Sequence, residues 1–494
     1  MSVCELQAYT RELPDLLEGM TSEPIPAVQV NGVETDSRRV RAGNLFLACA
    51  GGHNHGLEFV DEAIARGATA IAWDADTAPE LNLPNIKVAG LQAKLGMVAA
   101  RFFQHPASEL SLIGITGTDG KTSCAHVLAQ AYAHLGQQCG YLGTLGYGLL
   151  PNLAAATHTT PDAVTLQTWL ARLRDAKAQT VALEVSSHAL DQGRVSGLTF
   201  DAAVLTNIGR DHLDYHESLE AYIAAKHRLF EGKCLKAAVL NVDDAYGALW
   251  LNELAPGVEA VAYGLDAPVI PEQARHVVAR EVLAQPQGLV LNIDSSWGEL
   301  RIESRLLGRF NAYNLLAALA VLLLRGVEPG AACAALGKVS TVPGRMELVD
   351  AVPGRPLVVV DYAHTPGALE QALHAVCEHA AGRVFCVFGC GGDRDAGKRP
   401  LMAAAAANQA DAIWITDDNP RSEDPAKIVA DILAGLPEGT PVTVEHDRAK
   451  AIAEAIDAAA AGDAVLIAGK GHETYQIIGH ERREFDDREA ARRV

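Results

Sequence analysis

The stretch Leu110-Ser-Leu-Ile-Gly-Ile-Thr-Gly-Thr-Asp-Gly-Lys-Thr-Ser123 decides the reading of this chain. Leu110 to Ile115 is a short apolar run that predicts a buried strand. Thr116 to Thr122 is a glycine-rich turn, and a helix is expected from Ser123. Glycines let the backbone approach phosphate oxygens, and successive N–H groups at a helix N-terminus hold the anion. The residues at this turn are Gly117, Thr118, Asp119, Gly120, Lys121, Thr122 and Ser123. Lys121 is expected to reach the terminal phosphates, and the Thr122 hydroxyl to bind Mg²⁺. The spacing departs from the usual phosphate loop, because Ile115 stands five residues before Gly120 where a glycine is common. A turn that only caps a helix is the plainer reading, which Gly-Lys-Thr at a strand-to-helix junction disfavours.

The rest of the chain bounds the class. Its 494 residues suggest three domains at the usual domain size. Apolar residues at 49% and charged residues at 21% exclude a disordered chain or a coiled-coil rod. The longest apolar run, Leu315 to Leu324, is too short to span a bilayer. The N-terminal segment has no apolar block, so no signal peptide is expected. A net charge of −20 argues against binding nucleic acid through a general field, but not against local anion sites. Nine scattered cysteines with no CxxC pair read as reduced thiols of a cytoplasmic protein.

Downstream of the loop, two more strands are expected to end in polar clusters. One is Glu184-Val-Ser-Ser-His188, after the strand Thr180 to Leu183. The other is Thr206-Asn-Ile-Gly-Arg-Asp-His-Leu-Asp214. In open parallel sheets the ligand crevice lies at strand C-termini. Glu184 is a natural Mg²⁺ ligand there, and His212 a second candidate. Lys226, on a predicted helix, reads from composition as a solvated side chain.

The last 150 residues alternate strand and helix, which predicts a parallel, doubly wound sheet. Strands are expected at Leu357–Asp361, Val384–Phe388, Ala412–Thr416 and Ala464–Ala468. Each runs into a polar cluster: Asp361–His364, Gly391–Asp395, Asp417–Arg421 and Gly469–Glu473. Parallel strands would bring all four to one rim. Arg394 and Arg421 could then fork onto carboxylates, and Glu473 or Asp418 could pair with an ammonium. Helix capping is the competing reading for Asp418 and Pro420.

In order and spacing these blocks resemble the Mur ligase family of ATP-dependent, amide-forming enzymes of peptidoglycan synthesis. Gly-Arg-Phe-Asn-Ala-Tyr-Asn (308–314), Pro-Gly-Arg-Met-Glu (343–347) and Asp-Tyr-Ala-His-Thr-Pro (361–366) extend the match. The resemblance implies an α/β protein of three domains. Residues 1–108 would bind the UDP substrate. Residues 109–340 would form a central P-loop ATPase domain with a parallel-rich sheet, and 341–494 a Rossmann-like, amino-acid-binding domain.

The resemblance also implies ATP and Mg²⁺, with Asn311, Arg345 and Asp361 joining the phosphate loop at the nucleotide. Lys226 matches a lysine that the family carbamoylates to bind a second Mg²⁺. Asp418-Asn-Pro-Arg421 resembles the motif of members that add meso-diaminopimelate to UDP-MurNAc-L-Ala-D-Glu. That implies Arg394, Asp418, Asn419, Pro420, Arg421, Gly469 and Glu473 at the amino acid. The UDP-MurNAc-dipeptide would meet Thr35, Ser37, Gly52, His53, Asn54, His158, Thr159, Thr160, Ser186, Gln192 and Arg194. A lysine-adding member and a folylpolyglutamate synthetase are the alternatives within the family. A P-loop ATPase acting as a switch or transporter subunit is the alternative outside it. Asp119 departs from the family, where Asn is common.

Overall fold

The computed structural model describes residues 7–50, 54–76, 80–232, 235–265, 270–271, 274–349 and 354–494. They form two compact units, one of residues 1–262 and 270–274, the other of 263–269 and 275–494.

The first unit begins with a small parallel sheet, in the order Gly32–Glu34, Asn44–Ala48, Ala70–Trp73 and Asn85–Lys87. Alternate residues serve opposite faces, as the two-residue period of a strand requires. Leu45 and Leu47 pack with Leu95 and Val98 of the helix Leu91–Phe102, whereas Phe46 and Ala48 pack with Val60 and Ala63 of the helix Val60–Ala65.

A second sheet follows, in the order Asn152–Ala154, Gly146–Leu149, Cys139–Gly143, Thr180–Glu184, Ser111–Thr116, Ala202–Leu205 and Ala237–Asn241. The first two strands are antiparallel additions at one edge, and the rest run parallel. Ser111–Thr116 lies between Thr180–Glu184 and Ala202–Leu205, so three strands deliver their C-terminal residues to one place. The helix Lys121–His134 starts directly after the loop.

The second unit opens with an antiparallel meander that the sequence reading did not anticipate: Arg275–Gln285, Gly288–Ser295 and Gly298–Ser304. Helices Phe310–Leu324 and Pro329–Leu336 follow. The last sheet has the order Glu347–Val349, Leu357–Asp361, Ala464–Ala468, Val384–Phe388, Ala412–Ile415 and Val442–Val444, parallel except for the first. Val359, Cys386 and Leu466 enter one apolar cluster, and Val358, Phe385 and Val465 the other. Burial on both faces explains why these strands read as unbroken apolar runs. The four strands expected here form within a residue of their expected ends. No helix among the described residues is long and apolar enough to cross a membrane.

Candidate active site

Gly117 adopts φ +149°, and a Cβ there would stand 1.8 Å from Thr206 Oγ1, so the turn requires glycine. Asp119, the residue that departs from the family, serves the loop through its main chain. Its N–H donates to Asn207 Oδ1 at 2.9 Å, and its carbonyl accepts from Thr206 Oγ1 at 2.6 Å, while its side chain is exposed. Lys121 Nζ donates to the carbonyls of Gly117 and Thr118, both at 2.8 Å, which folds it over the loop. Burial lowers its pKa, against the opposing pull of Glu184.

Glu184 is fully buried at the end of its strand and accepts four hydrogen bonds. Thr122 Oγ1 donates to Oε2 at 2.8 Å and Thr144 Oγ1 to the same oxygen at 3.3 Å. The Tyr141 hydroxyl donates to Oε1 at 2.5 Å, and the Thr144 N–H at 2.9 Å. Burial, then the charge of Glu184, raises the Tyr141 pKa, which keeps the phenol a donor. Tyr141 and Thr144 were missed by the sequence reading, because a strand and its hairpin turn carry no motif that marks them.

Lys226 corrects the expectation from composition. It is 1% exposed, because the helix Leu219–His227 turns Tyr222, Ala225 and Lys226 inward at the spacing of one helical face. Its Nζ donates to the Gly117 carbonyl at 2.5 Å and lies 4.7 Å from the Tyr222 ring centroid. Burial, then repulsion from Lys121, pushes its pKa down to about 6. His212 sits at φ +52° beside His188, with ring centroids 4.8 Å apart.

Lys121, Thr122, Thr144, Thr159, Glu184, Ser186, Ser187, His212 and Lys226 line one cavity of about 150 Å³. No three His, Cys, Asp or Glu side chains among the described residues gather to hold an ion unaided. The oxygen atoms of Thr122 and Glu184 nevertheless suit a hard dication, which takes few protein ligands and completes its shell with water and phosphate.

Thr160, Ser186, Gln192 and Arg194 gather nearby. Thr160 Oγ1 donates to the Glu184 carbonyl at 2.7 Å, and the Ser186 N–H donates to Thr160 Oγ1 at 3.0 Å. Arg194 Nη1 donates to the Thr160 carbonyl at 2.8 Å, and its Nε to Gln192 Oε1 at 2.9 Å. His158 is exposed. In the loops beside the small N-terminal sheet, Thr35 is half-buried and Asn54 exposed, while the Ser37 hydroxyl donates to Glu62 Oε2 at 2.6 Å. Gly52 and His53 lie outside the described residues.

In the second unit, Asn311 is buried and donates from Nδ2 to the Leu307 carbonyl at 2.8 Å. Arg345 lies over the Tyr362 ring at 5.2 Å. Asp361 accepts main-chain N–H groups from Met346 at 2.7 Å and Ala363 at 2.8 Å, so one oxygen holds the entry to the neighbouring strand Glu347–Val349 and the other braces the turn after its own strand.

The C-terminal strand ends do share one rim. A Cβ on Gly391 would stand 2.8 Å from Arg421 Nη1 and 3.6 Å from Arg394 Cγ, so the Arg421 guanidinium and the Arg394 stem meet there. Arg394 is exposed. Arg421, at φ +53°, donates from Nη1 to the Gly392 carbonyl at 2.8 Å. Asp418 is buried, burial raises its pKa, and a Cβ on Gly469 would lie 2.7 Å from its Oδ2. Asp418 caps no helix; Asp424 and Pro425 start the next one. Asn419 Nδ2 donates to Glu473 Oε2 at 2.9 Å. Arg399, also missed, is fully buried and donates to Glu423 at 2.6 and 2.8 Å and to Asp431 at 2.8 Å, tying the arginine loops to the next helix.

A phosphate loop on a parallel sheet, followed by a buried carboxylate and an acidic and basic rim on a further parallel sheet, defines a nucleotide-dependent enzyme of the P-loop α/β class. Three family models match the chain: the Mur ligase family catalytic domain over residues 29–103, the Mur ligase middle domain over 115–322, and the Mur ligase glutamate ligase domain over 344–471. The chain belongs to the Mur ligase family and is an ATP-dependent, amide-forming ligase of peptidoglycan synthesis.

Its relatives include the UDP-N-acetylmuramoyl-L-alanyl-D-glutamate–2,6-diaminopimelate ligases of Alkalilimnicola ehrlichii and Pseudomonas aeruginosa. Both are 48% identical, over 93% of this chain and 94% and 93% of theirs. A solved structure of a ligase of that name matches with a TM-score of 0.79 at 36% identity, covering 98% of both chains.

Proposed function

We propose that this chain joins meso-diaminopimelate to the D-Glu carboxylate of UDP-MurNAc-L-Ala-D-Glu, driven by ATP. The γ-phosphoryl group passes to the carboxylate, giving an acyl phosphate and ADP. The acceptor amine attacks the acyl carbon, phosphate leaves with the former carboxylate oxygen, and an amide remains. Lys121 and the loop N–H groups offset phosphate charge. Asn311, Arg345 and Asp361 are read as nucleotide contacts. The residues at Thr160, Ser186 and Arg194 are read as holding the dipeptide.

Thr122, Glu184 and His212 would hold Mg²⁺, which supplies positive charge to the phosphate oxygens. Lys226 is read as carbamoylated. An amine with a pKa near 6 is mostly neutral at pH 7, and the neutral form adds CO₂ and releases a proton, turning a cation into an oxygen ligand.

The observation that carries the acceptor assignment is the rim itself. The Arg421 guanidinium and the stem of Arg394 meet at Gly391, and Asp418, Asn419 and Glu473 stand on the neighbouring strand ends. One side suits a carboxylate and the other an ammonium, as the far end of diaminopimelate presents. The division into 1–108, 109–340 and 341–494 is supported by the spans of the three family models. Seven described cysteines are free thiols, which supports a cytoplasmic setting.

The test is phosphate release with ATP and UDP-MurNAc-L-Ala-D-Glu, comparing meso-diaminopimelate, L-lysine and L-ornithine as acceptors. Release that depends on diaminopimelate is expected. Equal or greater release with lysine would overturn the acceptor assignment.

A further inference from the structure

Beneath the rim, Lys470 has no exposed surface. It stands between Gly469 and Gly471, directly after the buried strand Ala464–Ala468. Its Nζ donates to Asn419 Oδ1 and to Glu473 Oε2, both at 3.3 Å, and lies 5.5 Å from the Tyr475 ring centroid. The Ile477 N–H also donates to Asn419 Oδ1, at 2.9 Å. Two donors therefore face one oxygen of the Asn419 amide, and its Nδ2 is left facing Glu473 Oε2. A flipped amide would set its NH₂ against both an ammonium and a main-chain N–H.

Charge points the same way. Asp418, Glu473 and Asp487 share this region with two buried cations, Arg448 and Lys470. Arg448 is paired with Asp487 at 2.7 Å. Lys470 is the cation of this group that faces Glu473 directly. Without Lys470, Asn419 would lose one of the two donors that hold its orientation, and Glu473 would lose its buried cation.

We propose that Lys470 is a positioning residue for acceptor recognition, fixing the Asn419 amide and the Glu473 carboxylate so that the rim takes one ammonium group. The proposal rests on the reading of the rim as the amino-acid site. Lys470 touches none of the reacting atoms, so its effect is on acceptor binding.

The experiment measures steady-state kinetics of the full chain with ATP, UDP-MurNAc-L-Ala-D-Glu and meso-diaminopimelate. Lys470→Met keeps an apolar stem of similar length. It is expected to raise KM for diaminopimelate at least tenfold, with kcat and KM for ATP within about twofold. Lys470→Arg keeps the charge but moves the donors, and is expected to raise that KM severalfold; it serves if the methionine variant does not fold. Either change is combined with Glu473→Gln. A residue acting through Glu473 gives a double variant little worse than the poorer single one. An unchanged KM for diaminopimelate, an equal loss across all three substrates, or full additivity with Glu473→Gln would overturn the proposal. Wild-type protein that ignores diaminopimelate would instead overturn the acceptor assignment, so the two failures are distinct.

Discussion

Thr122 Oγ1 donates to Glu184 Oε2 across 2.8 Å, joining the first turn of the phosphate-loop helix to the end of the neighbouring strand. Sixty-two residues separate the two in sequence. The parallel pairing of Thr180–Glu184 with Ser111–Thr116 brings them together, with Glu184 in register with Ile115. The Thr122 hydroxyl and the Glu184 carboxylate thereby share one wall of the cavity.

Lys121 tests the loop. Lys121→Ala removes the positive charge that lies over Gly117 and Thr118. Ligation should fall by several orders of magnitude, while circular dichroism and melting temperature stay close to wild type. A folded variant with near wild-type phosphate release would rule out the assignment.

Lys226→Ala is expected to abolish ligation. Short carboxylic acids added in solution should restore part of it by supplying the missing oxygens beside the Gly117 loop. Intact-mass measurement on active protein should show the added mass of CO₂ on the wild type and none on the variant. Active protein bearing only a free amine would refute the modification.

Arg421 bears on acceptor choice. A charge-assisted pair in a closed site contributes about 1.5–3 kcal/mol, or about 10- to 150-fold in preference. Arg421→Ala should reduce use of diaminopimelate by that order and narrow its advantage over lysine. The Gly392 carbonyl also loses its partner, so the loop should loosen slightly. Full selectivity in the variant would mean that another group reads the far carboxylate.

Glu34 supplies a pH test of stability. Burial raises its pKa from 4.5 to about 7, opposed by Arg39 and reinforced by Asp162. The folded state thus binds this proton more tightly than the unfolded state. The stabilisation is complete below pH 4.5 and is lost as pH rises through about 7. Glu34→Gln, which cannot ionise, should raise the melting temperature by a few degrees at pH 8 and change it little at pH 4.5. An equal shift at both pH values would assign the effect to packing instead.

The four central strands of the C-terminal sheet were legible because each is buried on both faces and so reads as an apolar run before a polar cluster. The meander of residues 275–304 was not. Its strands mix buried and exposed positions, as in Arg275–Gln285, where the last six are mostly exposed. Asp418 looked as much like a helix cap as a ligand, since Asp and Pro mark both. The real cap lies six residues on, at Asp424, and only the burial of Asp418 against Gly469 separates the two readings.

By itself the sequence determined the phosphate loop, the alternation of strand and helix, and the placing of acids and arginines just past strand ends. Those are local properties: period, turn chemistry and the residues that follow. Tertiary structure alone decided that Lys226 is buried against Gly117, that Tyr141 and Thr144 hold Glu184, and that Lys470 orients Asn419 and Glu473. Each of these depends on which strands become neighbours and which helical face turns inward. A lysine on a helix has the same local sequence signature in solvent or in the core. What differs is the desolvation of its charge, and that is set by residues about a hundred positions away.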